Sequence, residues 1–194
     1  MFINWKGCRR WLYRFLPAKH PAFYPARRRG LDHGATENGQ YPVAEIQKKY
    51  LLGWVGVANG TFLELDAGDG VTGSHAVWLE EVGWKGVSLE KRPVAAELLK
   101  KNRPASYETF SSSESISWKD ADLVSARREN TINELVGRIA NGNRPRWVIL
   151  QARDPRPEVF AAMNRAGYRL DHFIHDDEYY RWKDGKSGWP KGIA

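Results

Sequence analysis

Several features are scarce or missing in this chain of 194 residues, and each shortage excludes a class of protein. Cys8 is the single cysteine, so neither an internal disulfide nor a metal site with several cysteine ligands can form. The single cysteine suits a reducing, cytoplasmic location. We also predict no metal site of another kind, because two histidines three residues apart in a strand, His172 and His175, would point to opposite faces. No apolar run approaches the ~18 residues of a membrane-spanning helix, and the N-terminus lacks the uninterrupted apolar segment of a signal peptide.

Residues 1–30 contain no acidic residue but eight lysines or arginines. Aromatic residues and leucines are interleaved with these cations up to Pro17, as in a short basic amphipathic helix. Two interpretations stay open: an arm that makes peripheral contact with an anionic membrane, and an extension that packs its aromatic side chains on the domain or on a second subunit of a homo-oligomer. We expect no nucleic-acid partner, because no RNA-binding motif accompanies the charge.

The most informative stretch is residues 62–90. An apolar run over 62–65 predicts a buried strand, and it leads into a turn in which Gly68 and Gly70 permit positive φ and leave room for a ligand beside the backbone. Ser74 is placed to cap a helix over 75–82, and 87–90 predicts a second strand. This order of elements is typical of the first βαβ unit of a nucleotide-binding, Rossmann-type fold.

The second predicted strand ends in Glu90, which lies 20 positions after Gly70, the spacing expected for a carboxylate that binds a ribose. The same turn satisfies G-x-G-x-x-G through Gly68, Gly70 and Gly73, which keeps NAD open as the ligand. Three carboxylates crowd the turn: Glu64, Asp66 and Asp69. They would repel a pyrophosphate, whereas S-adenosylmethionine (SAM) has no phosphate and carries an ammonium and a sulfonium. The charges therefore favour SAM.

The segment FLELDAGDGVTGSHAVWLEEVGWKGVSLEKRP, continued by LLKKNRP at 98–104, resembles the SAM-binding half of FkbM-type methyltransferases. That family has a GANDG-like turn, a serine-led helix, GW-G and a strand that closes with IEPNP. A weaker similarity covers 147–180, where Gly167-Tyr168 and Asp176-Asp177-Glu-Tyr179 match the family's GY and DD-Y. The resemblance implies the class I methyltransferase fold, SAM as cofactor, and O-methylation of a hydroxyl on a sugar or other small metabolite.

Two positions depart from the family pattern. Asp66 replaces the first glycine of the turn, which narrows the pocket or forces its carboxylate outward. Between residues 111 and 146 we expect one helix and no strand, so the family's middle strand with its DVEG-like end has no counterpart. These departures leave open a non-catalytic accessory or scaffold protein that keeps the fold. The G-x-G-x-x-G spacing leaves open a further alternative, an NAD-linked oxidoreductase.

The candidate site residues follow from the motif and from the ends of the predicted strands. The candidate cofactor-binding residues are Glu64, Asp66, Gly68, Asp69, Gly70, Ser74, Glu90 and Ser111. Asp154, just past a predicted strand over 146–151, and Asp69 are the candidate catalytic or acceptor-orienting carboxylates. His75 is read either as a contact to the ligand or as a histidine on the helix surface.

We predict a basic aromatic arm and linker over 1–40, one Rossmann-like α/β domain over 41–183 and a flexible tail over 184–194. Apolar spacing predicts helices over 41–52, 93–101, 131–139 and 157–166, and a strand over 107–110. Residues 168–174 and 178–182 are expected to form an antiparallel hairpin at the edge of a mostly parallel sheet.

Overall fold

The computed structural model describes residues 43–56, 59–109, 121–151, 156–174 and 176–183. Its elements, numbered here in chain order, are α1 (Val43–Val55), β1 (Thr61–Leu65), α2 (Ala76–Glu81), β2 (Lys85–Glu90), α3 (Pro93–Asn102), β3 (Tyr107–Thr109), β4 (Leu123–Ala126), α4 (Glu129–Ala140), β5 (Trp147–Gln151), α5 (Pro157–Arg165), β6 (Tyr168–Ile174) and β7 (Asp177–Trp182). The predicted arm, tail, Ser111, Asp154 and His175 lie outside the described residues.

All seven strands form one sheet in the order β3-β2-β1-β4-β5-β7-β6. The first five strands are parallel, while β7 runs antiparallel to both β5 and β6. The predicted mostly parallel sheet with a C-terminal antiparallel hairpin is therefore confirmed. From β1 the chain first adds β2 and β3 on one side and then returns to add β4 and β5 on the other side. At such a reversal of strand order a crevice opens at the carboxyl ends of the strands, where α/β sheets bind ligands.

The expectation of no strand between residues 111 and 146 was wrong, because β4 lies there between β1 and β5. Its four residues, LVSA, are all buried, so the strand has no alternation of apolar and polar positions that would mark it in the sequence. Arg127 and Arg128 follow it directly, at the carboxyl edge of the sheet.

Helices cover both faces of this sheet. Three residues of α4 and three of α5 pack with strand side chains into one buried cluster: Ile132, Leu135, Ile139, Val159, Phe160 and Met163. On the other face α1 and α2 contribute Leu51, Trp54, Val55 and Leu79. Each such side chain stabilises the fold by about 1.5–3 kcal/mol when it is fully buried. Among the described residues, none of the helices has the length and apolar character that crossing a bilayer requires.

Ser74 caps the first turn of α2, as predicted. His75 already has helical backbone angles, with φ of −76° and ψ of −31°, and the Ser74 hydroxyl oxygen accepts a long hydrogen bond from the Val77 N–H at 3.4 Å. The same hydroxyl donates to the buried Glu64 carboxylate at 2.8 Å, so Ser74 joins the start of the helix to that carboxylate.

Candidate functional site

The turn after β1 has backbone geometry that suits glycine. Gly68 and Gly70 have φ of 66° and 79°. A Cβ built on Gly70 would lie 2.5 Å from Leu99 Cδ1, whereas one built on Gly68 would meet its first neighbour only at 3.9 Å. Gly70 is therefore required by close packing, and Gly68 leaves open space beside the backbone. That space is part of the cleft described below.

Glu64, predicted as a cofactor ligand, lies behind this turn and is only 1% exposed. It accepts hydrogen bonds from the Ser74 hydroxyl at 2.8 Å, the Ser88 hydroxyl at 3.1 Å and Arg103 Nη1 at 2.9 Å. Arg103 also binds Glu80 through two nitrogens, at 2.7 and 3.0 Å. The structure thus places Glu64 and Ser74 in a buried ion-pair network that holds the turn, without exposing either to the cleft.

Glu90 lies at the end of β2 and is joined to the glycine turn. Its carboxylate accepts the Gly68 N–H at 2.9 Å and the Arg92 N–H at 2.9 Å. The Arg92 guanidinium also donates to it, from Nε at 3.1 Å and Nη2 at 3.0 Å. Burial alone would raise the pKa of Glu90, but these hydrogen bonds outweigh it and hold that pKa below its ordinary value. A ribose would have to displace the half-exposed Arg92 side chain to reach this carboxylate.

The other two predicted acids face in different directions. Asp66 has a φ of 57°, and its carboxylate accepts the Arg128 N–H at 3.2 Å across the end of β4. Asp69 closes its own turn by accepting the Val71 and Thr72 N–H groups at 2.9 and 2.7 Å. The hydrogen bond from the Thr72 hydroxyl is the main reason that the pKa of Asp69 is lowered. The structure brings Asp66 to the cleft but directs the Asp69 carboxylate into its own turn.

A cleft of about 840 Å³ opens at the carboxyl edge of the sheet. It is lined by Asp66, Gly68, Arg92, Arg127, Arg128, Glu129, Asn133, Gln151, Arg156 and Glu158. None of the four arginines was predicted from the sequence to be part of the site. The available signal was the pair Arg127-Arg128, a few residues before the helix predicted over 131–139, but the pair can be placed at the carboxyl edge only once β4 is recognised.

Arg127 lies against the glycine turn. Its guanidinium donates to the Thr72 carbonyl at 3.1 Å and to the Gly73 carbonyl, and lies 3.5 Å from the Glu64 carboxylate. A Cβ built on Gly68 would be 3.9 Å from Arg127 Nη1 and 4.0 Å from Arg92 Nη2. Two guanidinium groups therefore flank the open space beside Gly68.

His75 is buried, so the reading of it as a surface histidine was wrong. Its Nε2 lies 2.8 Å from Asp177 Oδ2, at the start of β7. Its Nδ1 has no hydrogen-bond partner among the described residues. The two residues are 102 positions apart, so local sequence patterns could not pair them.

No protein-family model matches the sequence, and no curated protein does. Solved structures do match. The chain is 15% identical to a ribosomal protein L11 methylase from Lactobacillus delbrueckii subsp. bulgaricus, with a TM-score of 0.56 over 79% of this chain and 84% of that one. It is 13% identical to a precorrin-6y C5,15-methyltransferase from Geobacter metallireducens GS-15, with a TM-score of 0.54 over 77% and 94%.

A third match is a 16S rRNA N2 G1207 methyltransferase from T. thermophilus, solved with AdoMet and guanosine. It is 14% identical, with a TM-score of 0.54 over 78% of this chain and 46% of that one. At these identities the likeness establishes the fold. The chain has the Rossmann-like class I methyltransferase fold, in agreement with its strand order. Membership of the FkbM-type subfamily stays a prediction.

Proposed function

We propose that this protein is a SAM-dependent methyltransferase. The observation that carries the proposal is the 2.9 Å hydrogen bond from the Gly68 N–H to Glu90. This hydrogen bond joins the glycine turn to a carboxylate at the end of β2, the position from which an acid binds a ribose. Both lie at the carboxyl edge of a sheet that has the strand order of the class I methyltransferase fold. Three solved structures of that fold belong to methyltransferases, which supports the same class of activity.

The residues present fit SAM. The open side of Gly68 admits a ligand close to the backbone, Glu90 accepts the ribose hydroxyls once Arg92 moves aside, and Arg127 offers a guanidinium to the carboxylate of the methionine portion. Glu64 acts indirectly, by holding Arg103 and Ser74 beneath the turn. When bound, SAM supplies its methyl group: the C–S bond breaks as a C–O bond forms to the acceptor, and the hydroxyl proton passes to a base.

The acceptor in this proposal is a hydroxyl of a sugar or other small metabolite. It occupies the half of the cleft formed by the ends of β4 and β5, beside Gln151. Asp154, next along the chain after β5, stays our candidate for orienting that hydroxyl. Asp69 is less suited to this role, because its carboxylate is held by Val71 and Thr72.

The structure changes the reason for preferring SAM over NAD. Of the three acids of the turn, Glu64 is paired with Arg103 and Asp66 with Arg128, while Asp69 is hydrogen-bonded within its own turn. Glu90, at the end of β2, is paired with Arg92. Their charges are largely offset, so repulsion of a pyrophosphate no longer decides between the two cofactors. The preference for SAM rests instead on the strand order and on the structural relatives.

One observation favours a second candidate, a scaffold that has lost its ligand. The Arg92 guanidinium binds the Glu90 carboxylate through two nitrogens, in the place where ribose hydroxyls would bind. If this contact is stronger than the contact with a ribose, the fold would remain while cofactor affinity would be lost.

Calorimetric titration with SAM, S-adenosylhomocysteine (SAH) and NAD tests the proposal. We expect micromolar binding of both adenosyl ligands, weakened about tenfold or more in Glu90→Gln because a hydrogen-bonded charge is lost. Glu97→Gln, on the exposed side of α3, is the matched control and should bind like the original protein. Binding of NAD alone would favour an oxidoreductase, and no binding of any of the three would favour the scaffold.

A further inference from the structure

The cleft is richer in cations than a site for a neutral acceptor needs. Four of its ten lining residues are arginines, and three are acids: Asp66, Glu129 and Glu158. The two glutamates lie in the first turns of α4 and α5, where a helix favours a carboxylate for its own stability, and both are exposed. Asp66 is engaged by the Arg128 N–H. The guanidinium groups therefore determine the chemistry of the cleft.

The four arginines are spread across the cleft. Arg92 is bound to Glu90, and Arg127 to the carbonyls of the glycine turn, so both belong to the half that we assign to the cofactor. Arg128 precedes α4 where the two halves meet, with its guanidinium 3.9 Å from Glu90, and Arg156 precedes α5 in the half that we assign to the acceptor. Gln151, at the end of β5, lines the same half.

Arg128 is weakly held by the acids near it. Its guanidinium lies 3.9 Å from Asp66 and 3.9 Å from Glu90, and its side chain is 42% exposed. Both distances exceed that of a hydrogen bond, so these contacts hold the exposed guanidinium weakly, although the two carboxylates are themselves buried. A more highly charged anion, hydrogen-bonded by the planar fork of the guanidinium, would therefore compete with them for Arg128.

The backbone adds to this preference. Arg128 and Arg156 are the N-cap residues of α4 and α5, and neither side chain makes a capping hydrogen bond within the described part of the chain. The first residues of both helices line the cleft, so the positive ends of α4 and α5 lie beside these two guanidinium groups. Phosphate is the common biological group that suits both features, since it offers several oxygens to N–H donors.

We propose that the acceptor is a small molecule that carries a phosphate group, which Arg128 and Arg156 bind while its hydroxyl faces the cofactor half. This inference rests on the proposed function for the assignment of the two halves. A small molecule is favoured over a nucleic acid because the cleft, at about 840 Å³, falls in the range of pockets that enclose small ligands.

The experiment compares glucose 6-phosphate, glucose and inorganic phosphate as probes of the full chain, with and without saturating SAH. We expect glucose 6-phosphate and inorganic phosphate to bind, with affinities that fall steeply as salt is raised, and glucose to show no binding. Arg128→Gln and Arg156→Gln should each weaken glucose 6-phosphate about tenfold or more. Arg138→Gln, on α4 in an i,i+4 pair with Glu134, is the control and should leave it unchanged.

Equal binding of glucose and glucose 6-phosphate to the unmodified protein would overturn the inference, and this comparison does not depend on how well any variant folds. Unchanged affinity in both arginine variants would overturn it as well. If a single-stranded RNA bound more tightly than glucose 6-phosphate, the inferred acceptor would be a nucleic acid, and the inference of a small molecule would be wrong. Failure of SAH to bind would instead remove the proposed function, while the phosphate titrations without SAH would still test the arginine site.

Discussion

Replacement of Arg103 by methionine tests the idea that a buried ion pair holds the glycine turn. Arg103 and Glu64 are joined at 2.9 Å, with side chains 4% and 1% exposed. Removing one partner of a buried pair costs about 3–5 kcal/mol, because the other charge stays buried without its counterion. The hydroxyls of Ser74 and Ser88 still donate to Glu64, so we expect a loss of about 3 kcal/mol, near the lower end of that range.

Other contacts of Arg103 make this value a lower estimate of the loss. Its pair with Glu80 adds little, because that carboxylate is 31% exposed and water can solvate it after the substitution. The guanidinium also lies 5.6 Å from the centre of the buried Phe62 ring, and a desolvated cation–π contact contributes up to about 2 kcal/mol. Methionine preserves most of the aliphatic packing beneath Gly70, so a cavity should not add a large cost.

Denaturant unfolding of Arg103→Met, Glu64→Gln and the double variant measures the effect. The double variant no longer buries an unpaired charge, so it should recover most of the stability lost in Arg103→Met, with a coupling energy of about 2 kcal/mol or more. A loss below about 1 kcal/mol in Arg103→Met, or losses that simply add in the double variant, would refute the reasoning. Either result would mean that the pair contributes little to the turn.

Three further predictions concern the same edge of the sheet. Gly70→Ala should lower the free energy of unfolding by about 2–4 kcal/mol, because it places a Cβ at positive φ and against Leu99. The control is Gly137→Ala inside α4, where a Cβ meets nothing within 4 Å; it should raise the free energy of unfolding by about 0.5–1 kcal/mol. The pKa of Glu90 is lower in the folded protein than in the unfolded chain, where it is near 4.5. The ionised carboxylate therefore stabilises the fold above pH 4.5, and this stabilisation is lost as the pH falls through the folded pKa. When unfolding free energies are measured at decreasing pH below 4.5, those of Glu90→Gln should fall less steeply than those of the original protein. Arg92→Gln should raise SAH affinity severalfold in calorimetry, because it removes the group that competes for Glu90; unchanged affinity would mean that Arg92 does not compete.

The sequence predicted the fold well where local geometry is demanding. A glycine turn between an apolar run and a helix, with an acid at the end of the next strand, has few structural solutions, and the βαβ unit of β1, α2 and β2 was identified correctly. The helix predicted over 131–139 and the C-terminal hairpin were also confirmed. Both could be predicted because apolar residues recur at helical spacing in the first segment and alternate with polar ones in the second. The strand β4 was missed because four residues buried on both faces have no period.

The site was less predictable, because its contacts join distant parts of the chain. Arg103 reaches Glu64 across 39 positions and Arg127 reaches Thr72 across 55. His75 pairs with Asp177 at a greater separation still. A sequence motif predicts which backbone segment a ligand approaches. The side chains that determine the electrostatic potential there come from distant parts of the chain, and only the strand order places them at the site.

This difference has a consequence for the choice of cofactor. Read along the chain, Glu64, Asp66 and Asp69 gave the turn three negative charges, and a cation such as SAM followed from them. In the fold, two of these acids are paired with arginines and the third closes its own turn, while Arg92 and Arg127 stand within about 4 Å of the Cβ position of Gly68. The local potential is then no longer negative, so charge alone would admit a phosphate as readily as a sulfonium. Selection for SAM must then come from the space beside Gly68 and from the ability of Glu90 to release the Arg92 guanidinium and bind the two ribose hydroxyls instead. The change in SAH affinity caused by Arg92→Gln measures that exchange directly.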